Sequence, residues 1–116
     1  MRHTPGVVSI WTGTVRDEAE LFDHVTMEYD DGEATSPFLT ETGIDWYDED
    51  FAEGSVSADP ARALSEHSHS AGFASLAGPD LASRPETNAL YLIYDLDASA
   101  QHDRPGLLKF LGTYPV

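Results

Sequence analysis

The run Ala89-Leu90-Tyr91-Leu92-Ile93-Tyr94 carries no charged residue on either alternating face. A segment that is apolar on both sides belongs inside a sheet with protein packed above and below it. Two other segments also read as strands. Gly6 to Gly13 encloses Val7-Val8-Ser9-Ile10-Trp11, β-branched and aromatic residues bounded by glycine, which predicts a short central strand with Trp11 in the core. Leu107-Leu108-Lys109-Phe110-Leu111, closed by Gly112 and Pro115, predicts another strand, expected to lie antiparallel to the 89–94 strand as a long-loop hairpin.

Helix signals lie between these strands. Asp17 or Thr14 can cap a helix over Glu18–Val25, where Leu21, Phe22 and Val25 recur at helical spacing and acids crowd the first turn. Thr26-Met27-Glu28-Tyr29 alternates before the turn Asp30-Asp31-Gly32 and predicts an edge-like strand. Ser36-Pro37 places a capping residue before a proline and opens one or two helical turns that stop at Gly43. Residues 44–51 mix large aromatics with acids and are expected to be extended or looped, leading into Ser55-Val56-Ser57. Asp59-Pro60 opens a further helix, and Ser70–Leu76 a short one, expected to end before Gly78-Pro79. The pattern predicts an α+β fold: a small antiparallel or mixed sheet with short helices packed on one side or end. With 116 residues, one domain over 1–116 can bury one continuous core.

Charge narrows the function. The formal net charge is -15, and residues 1–53 hold 14 of the 21 acids against two arginines. Such a field repels nucleic acid and anionic lipid, and it speeds encounter with a basic partner. Neither a nucleic-acid nor a membrane partner is expected. A general acidity from a salt-adapted or GC-rich genome would look similar, and five Arg against one Lys fits it. The chain has no cysteine, so disulfides and thiolate metal sites are excluded and a reducing compartment is the natural home. The short apolar stretch at the start is too brief for a secretory core, which makes the cytoplasm the expected location.

Signatures of chemistry are sparse. Phosphate-binding loops, dinucleotide fingerprints and the Gly-x-Ser-x-Gly and His-Glu-x-x-His hydrolase patterns are all missing from the sequence, so no catalytic residue and no cofactor is expected. His67-Ser68-His69 resembles a ligand pair, since imidazoles two apart on a strand share a face, but a third ligand would have to come from Glu66, His24 or His102. Exposed histidines are the simpler reading, and no metal is expected. Asp45, Asp48, Glu49 and Asp50 lack the spacing of a calcium loop. They are interleaved with Trp46, Tyr47 and Phe51, and aromatic anchors ringed by charge are how protein interfaces gain energy and orientation. The competing reading puts Trp46 and Phe51 in the core by alternation.

Three motifs in order resemble the immunity protein 22 family of bacterial polymorphic-toxin systems: Val8-Ser9-Ile10-Trp11-Thr12-Gly13, Gly43-Ile44-Asp45-Trp46-Tyr47-Asp48-Glu49-Asp50-Phe51, and Leu108-Lys109-Phe110-Leu111-Gly112-Thr113-Tyr114-Pro115. Between Ala52 and Arg84 nothing specific matches, so the histidine pair inherits no family role. The resemblance implies a small α+β protein that binds and neutralises a cognate bacterial toxin and has no enzyme activity. Many such toxins are nucleases with basic clefts, which an acidic protein can cover. The expected partner surface comprises Glu28, Asp30, Asp31, Glu33, Asp45, Asp48, Glu49 and Asp50, with Trp46 or Tyr47 as its anchor. Rival readings are a non-enzymatic acidic adaptor or scaffold, a metal-dependent enzyme using His67 and His69, and an inhibitor that mimics DNA toward a host protein. The oligomeric state is not written in the sequence.

Overall fold

A computed structural model describes residues 2–84, 86–99 and 106–116. Along the described chain the elements run β1 (Arg2–Gly13), α1 (Glu18–Val25), β2 (Glu28–Asp30), β3 (Glu33–Thr35), α2 (Pro37–Thr42), a 3-10 turn (Glu49–Phe51), β4 (Ala52–Val56), α3 (Pro60–Glu66), α4 (Ser70–Ala82), β5 (Ala89–Asp97) and β6 (Leu108–Pro115). Four strands form one antiparallel sheet in the order β4-β5-β1-β6, while β2 and β3 pair as a separate hairpin.

The sheet is covered on both faces, as the double apolar character of β5 requires. Ala89, Tyr91 and Ile93 enter a core with Trp11, Leu21 of α1 and Phe38 of α2, whereas Leu90 and Leu92 enter a second core with Ile10, Leu64 of α3 and Phe73 of α4. The fold class is α+β. Its helices lie on both faces instead of on one side or end, because α3 and α4 bring Ala63, Leu64, Phe73, Ala77 and Leu81 over the face that would otherwise leave Leu90 and Leu92 in water. Burial of each such large side chain contributes roughly 1.5–3 kcal/mol.

Two other expectations change. First, β5 and β6 do not form a hairpin, since β1 lies between them, with Trp11 pairing Tyr91 on one side and Phe110 on the other. Residues Val8 to Gly13 are all buried, so the backbone donors and acceptors on both edges of β1 need a partner strand. A long connection constrains pairing too little to reveal this from sequence. Second, α4 continues through Gly78-Pro79 to Ala82. Phe73, Ala77 and Leu81 recur at helical spacing and are all buried, and the burial of Leu81 offsets the hydrogen bond that Pro79 removes.

The helix starts follow their caps. Asp17 accepts from the Glu20 N–H at 2.9 Å, Ser36 from Leu39 at 2.9 Å and Asp59 from Arg62 at 3.2 Å. Between β2 and β3, Asp31 (φ 52°) and Gly32 (φ 82°) are consecutive left-handed residues, the pattern of a tight type I′ hairpin turn. Among the described residues, no helix is long and apolar enough to cross a membrane.

Candidate functional site

The segment from Ile44 to Phe51 sorts its side chains sharply. Gly43, left-handed at φ 74°, ends α2 and turns the chain so that Ile44 and Tyr47 point inward while Trp46 and Phe51 stand out. Trp46 is 51% exposed and Phe51 42%. Alternation from Ile44 would have buried Trp46, but the inward residues are Ile44 and Tyr47, three apart, and Phe51 stands out at the end of the 3-10 turn at Glu49–Phe51. Asp48 opens the turn by accepting from the Asp50 N–H at 3.0 Å.

Tyr47, expected as a possible anchor, is a core residue. It is 3% exposed, and its ring lies edge-on to Phe38 at 6.0 Å. Its hydroxyl meets that of Tyr91 at 2.7 Å and lies 3.3 Å from the Val25 carbonyl it donates to. Burial, then the neighbouring Tyr91 and Glu49, pushes the Tyr47 phenol far above its ordinary pKa. Burial likewise raises Tyr91 to about 12. The pair stays neutral and bridges the helical layer to β5.

The acids singled out in the sequence are all exposed: Glu28, Asp30, Asp31 and Glu33 on the β2–β3 hairpin, Asp45, Asp48, Glu49 and Asp50 beside Trp46. Tyr29 brings the two groups together. The Trp46 indole N–H donates to the Tyr29 hydroxyl at 3.1 Å, and that hydroxyl reaches Glu49 Oε1 at 3.4 Å. Tyr29 is 57% exposed, so Tyr29, Trp46 and Phe51 are three accessible aromatic rings amid eight carboxylates. Arg16–Glu20, Arg62–Glu66, His24–Glu41 and His67–Glu53 form ion pairs, and none of these involves the eight acids. Their carboxylates stand exposed to solvent with no such pair among the described residues.

Two clefts adjoin Phe51. One, of about 230 Å³, lies among Trp46, Asp48, Phe51, Tyr94 and Asp95. The other, of about 450 Å³, lies among Asp50, Phe51, Glu53, His69, Tyr94 and Asp95. Asp95 stands at the rim of both with φ 59°, opposite an expansion of β1 where four residues separate His3 from Val8 while Asp95 alone separates their partners. Its carboxylate accepts from the Gly6 N–H at 3.1 Å, which accounts for an aspartate in this backbone region. Tyr29 and Asp95 were not legible as site residues, because the first reads as a strand residue and the second joins the face only through β1–β5 register.

The histidines do not form a ligand pair. Both nitrogens of His67 are engaged, Nδ1 with Glu53 Oε1 at 2.9 Å and Nε2 with Ser55 Oγ at 2.8 Å. His69 stands in the turn between α3 and α4 and faces the ring of Tyr94, with centroids 6.0 Å apart. His24 pairs with Glu41 at 2.7 Å, and His102 lies outside the described residues. Among the described residues no three metal-capable side chains converge. Ser55, His67 and Glu53 do stand in the order of a hydrolytic triad, but Glu53 is equally held by the backbone N–H and hydroxyl of Ser68. The row fastens β4 to the α3–α4 turn.

That clasp has a pH signature. Burial acts to raise the Glu53 pKa, yet the hydrogen bonds from Ser68 and His67 outweigh it and leave the carboxyl below its ordinary value. A depressed carboxylate adds stability that is present above the unfolded value, about 4.3, and is lost as pH falls through the folded value. Glu53→Gln is therefore expected to lower the thermal midpoint at pH 7, with the gap to wild type closing as pH drops below about 4. A gap independent of pH would show that the Glu53 charge contributes nothing to the clasp.

Residues 8–115 match the family model described as Immunity protein 22. Neither a curated protein nor a solved structure matches the chain.

Proposed function

The chain belongs to the immunity protein 22 family, and from that premise we propose that it binds a cognate bacterial toxin and neutralises it by stoichiometric occlusion, without chemistry of its own. The observation that supports this reading is the joined face of Tyr29, Trp46 and Phe51 with eight exposed carboxylates that enter none of those ion pairs. Such a face is complementary to a basic protein surface, and a nuclease with a phosphate-binding cleft is the toxin class it suits best. The protein works as a single domain in the cytoplasm of the cell it protects, as part of a polymorphic-toxin system. The engagement of both His67 nitrogens within the clasp speaks against a metal enzyme built on His67 and His69.

The test is co-expression with each toxin domain encoded by the genes neighbouring this chain's own. Growth is restored and the two proteins co-purify in equal amounts if the proposal holds. Undiminished killing at matched expression would overturn it.

A further inference from the structure

Resting on that reading, we propose that the two clefts adjoining Phe51 form one groove that receives an extended, arginine-bearing segment of the partner, with one guanidinium seated in each cleft.

Three observations converge on this occupant. The clefts share Phe51, Tyr94 and Asp95, so an extended segment crossing Phe51 enters both. Among the described residues no Lys or Arg lines either cleft, whereas Asp48 and Asp95 line the first and Asp50, Glu53 and Asp95 the second. Each cleft also presents aromatic rings, Trp46 and Phe51 in the first, Phe51 and Tyr94 in the second.

Flat rings beside carboxylates suit a guanidinium better than an ammonium, because the planar group stacks on the ring and offers paired N–H donors to the carboxylate. The volume of the first cleft, about 230 Å³, is below the roughly 300–1,000 Å³ of pockets that take whole small molecules. It matches one side chain. Side chains two apart on an extended segment share a face, so an Arg-x-Arg spacing places one guanidinium in each cleft while the intervening residue passes over Phe51.

The probe is a blocked Gly-Arg-Gly-Arg-Gly peptide, titrated at low salt into the full chain while the indole N–H resonances of Trp46 and Trp11 are followed. Saturable movement of the Trp46 signal with Trp11 still is expected, together with at least ~10-fold weaker binding of the citrulline analogue, which keeps shape but lacks charge. Asp48→Asn with Asp95→Asn retains the hydrogen bonds to Asp50 and Gly6 and tolerates the backbone at 95, so it removes charge without dismantling the groove. That pair should weaken binding at least ~10-fold, a change worth about 1.4 kcal/mol, whereas Asp30→Asn with Asp31→Asn, an equal charge change on the hairpin, should weaken it far less.

Equal weakening by the two pairs, or equal binding of the citrulline peptide, would overturn the groove and reduce the effect to bulk attraction. Growth protection by the same variants is scored separately. Protection that survives a failed peptide titration sinks the groove alone, and a specific titration without protection sinks the immunity reading alone.

Discussion

Replacing Phe38 by alanine is expected to cost about 3–5 kcal/mol of folding stability, the largest loss of any single substitution considered for this chain. The side chain is fully buried and sits edge-on to four other rings: Trp11 at 5.0 Å, Tyr91 at 5.2 Å, Tyr47 at 6.0 Å and His24 at 6.4 Å between centroids. It is also the main hold of α2 on the sheet, since that helix has six residues and buries Phe38, Leu39 and Thr42. Alanine leaves a cavity beside the Tyr47 and Tyr91 rings, whose hydroxyls are hydrogen-bonded to each other at 2.7 Å. Phe38→Leu fills much of the space and should cost about 1–2 kcal/mol. Urea unfolding of both variants checks the pair. A loss below about 1 kcal/mol for the alanine would show that the face of the sheet under α1 and α2 is held elsewhere.

The second large effect falls on binding and should leave the fold alone. Trp46→Ala combined with Phe51→Ala is expected to weaken the toxin complex by about 2–4 kcal/mol, roughly 30- to 1,000-fold, because large aromatics at the centre of an interface carry a disproportionate share of its energy. Both rings are about half exposed in the free protein, so their removal should change folding stability by less than about 1 kcal/mol. Calorimetric titration and thermal unfolding of one sample read both quantities. Strong destabilisation with unchanged affinity would assign the rings to packing.

How far the sequence carried depended on whether the signal was local. Caps and breakers act within one turn of chain, and Asp17, Ser36-Pro37, Gly43 and Asp59-Pro60 each mark the helix end at which the structure places them. The two-faced run at 89–94 forecast an interior strand because burial on both sides is written into its composition. Strand order was not local. That β1 separates β5 from β6 depends on a register set by core packing across about a hundred residues, and no turn residue records it. Pro79 misled because breaker rules weigh the helix by itself, while the buried Leu81 belongs to tertiary packing.

The candidate face was half legible for the same reason. Acids and aromatics between Asp45 and Phe51 stand out by composition, yet which rings face outward follows an irregular loop in which the inward residues, Ile44 and Tyr47, are three apart. Tyr47 lies in the core and Trp46 on the surface, a pattern that no regular period predicts. Tyr29 and Asp95 joined the face through contacts between distant segments, the first through the indole of Trp46 and the second through its place in β5 opposite Gly6.

Guidance of this protein onto a basic toxin by its acidic face is tested most directly by stopped-flow association with the co-purifying toxin. The comparison is between wild type and a variant with Asp45→Lys, Glu49→Lys and Asp50→Lys, which spares the Asp48 cap of the 3-10 turn. The account predicts that the reversals slow association at least ~10-fold at low salt and flatten its dependence on ionic strength, while dissociation changes less. An association rate and a salt dependence that both match wild type would contradict it and move the toxin-binding surface to another part of the molecule.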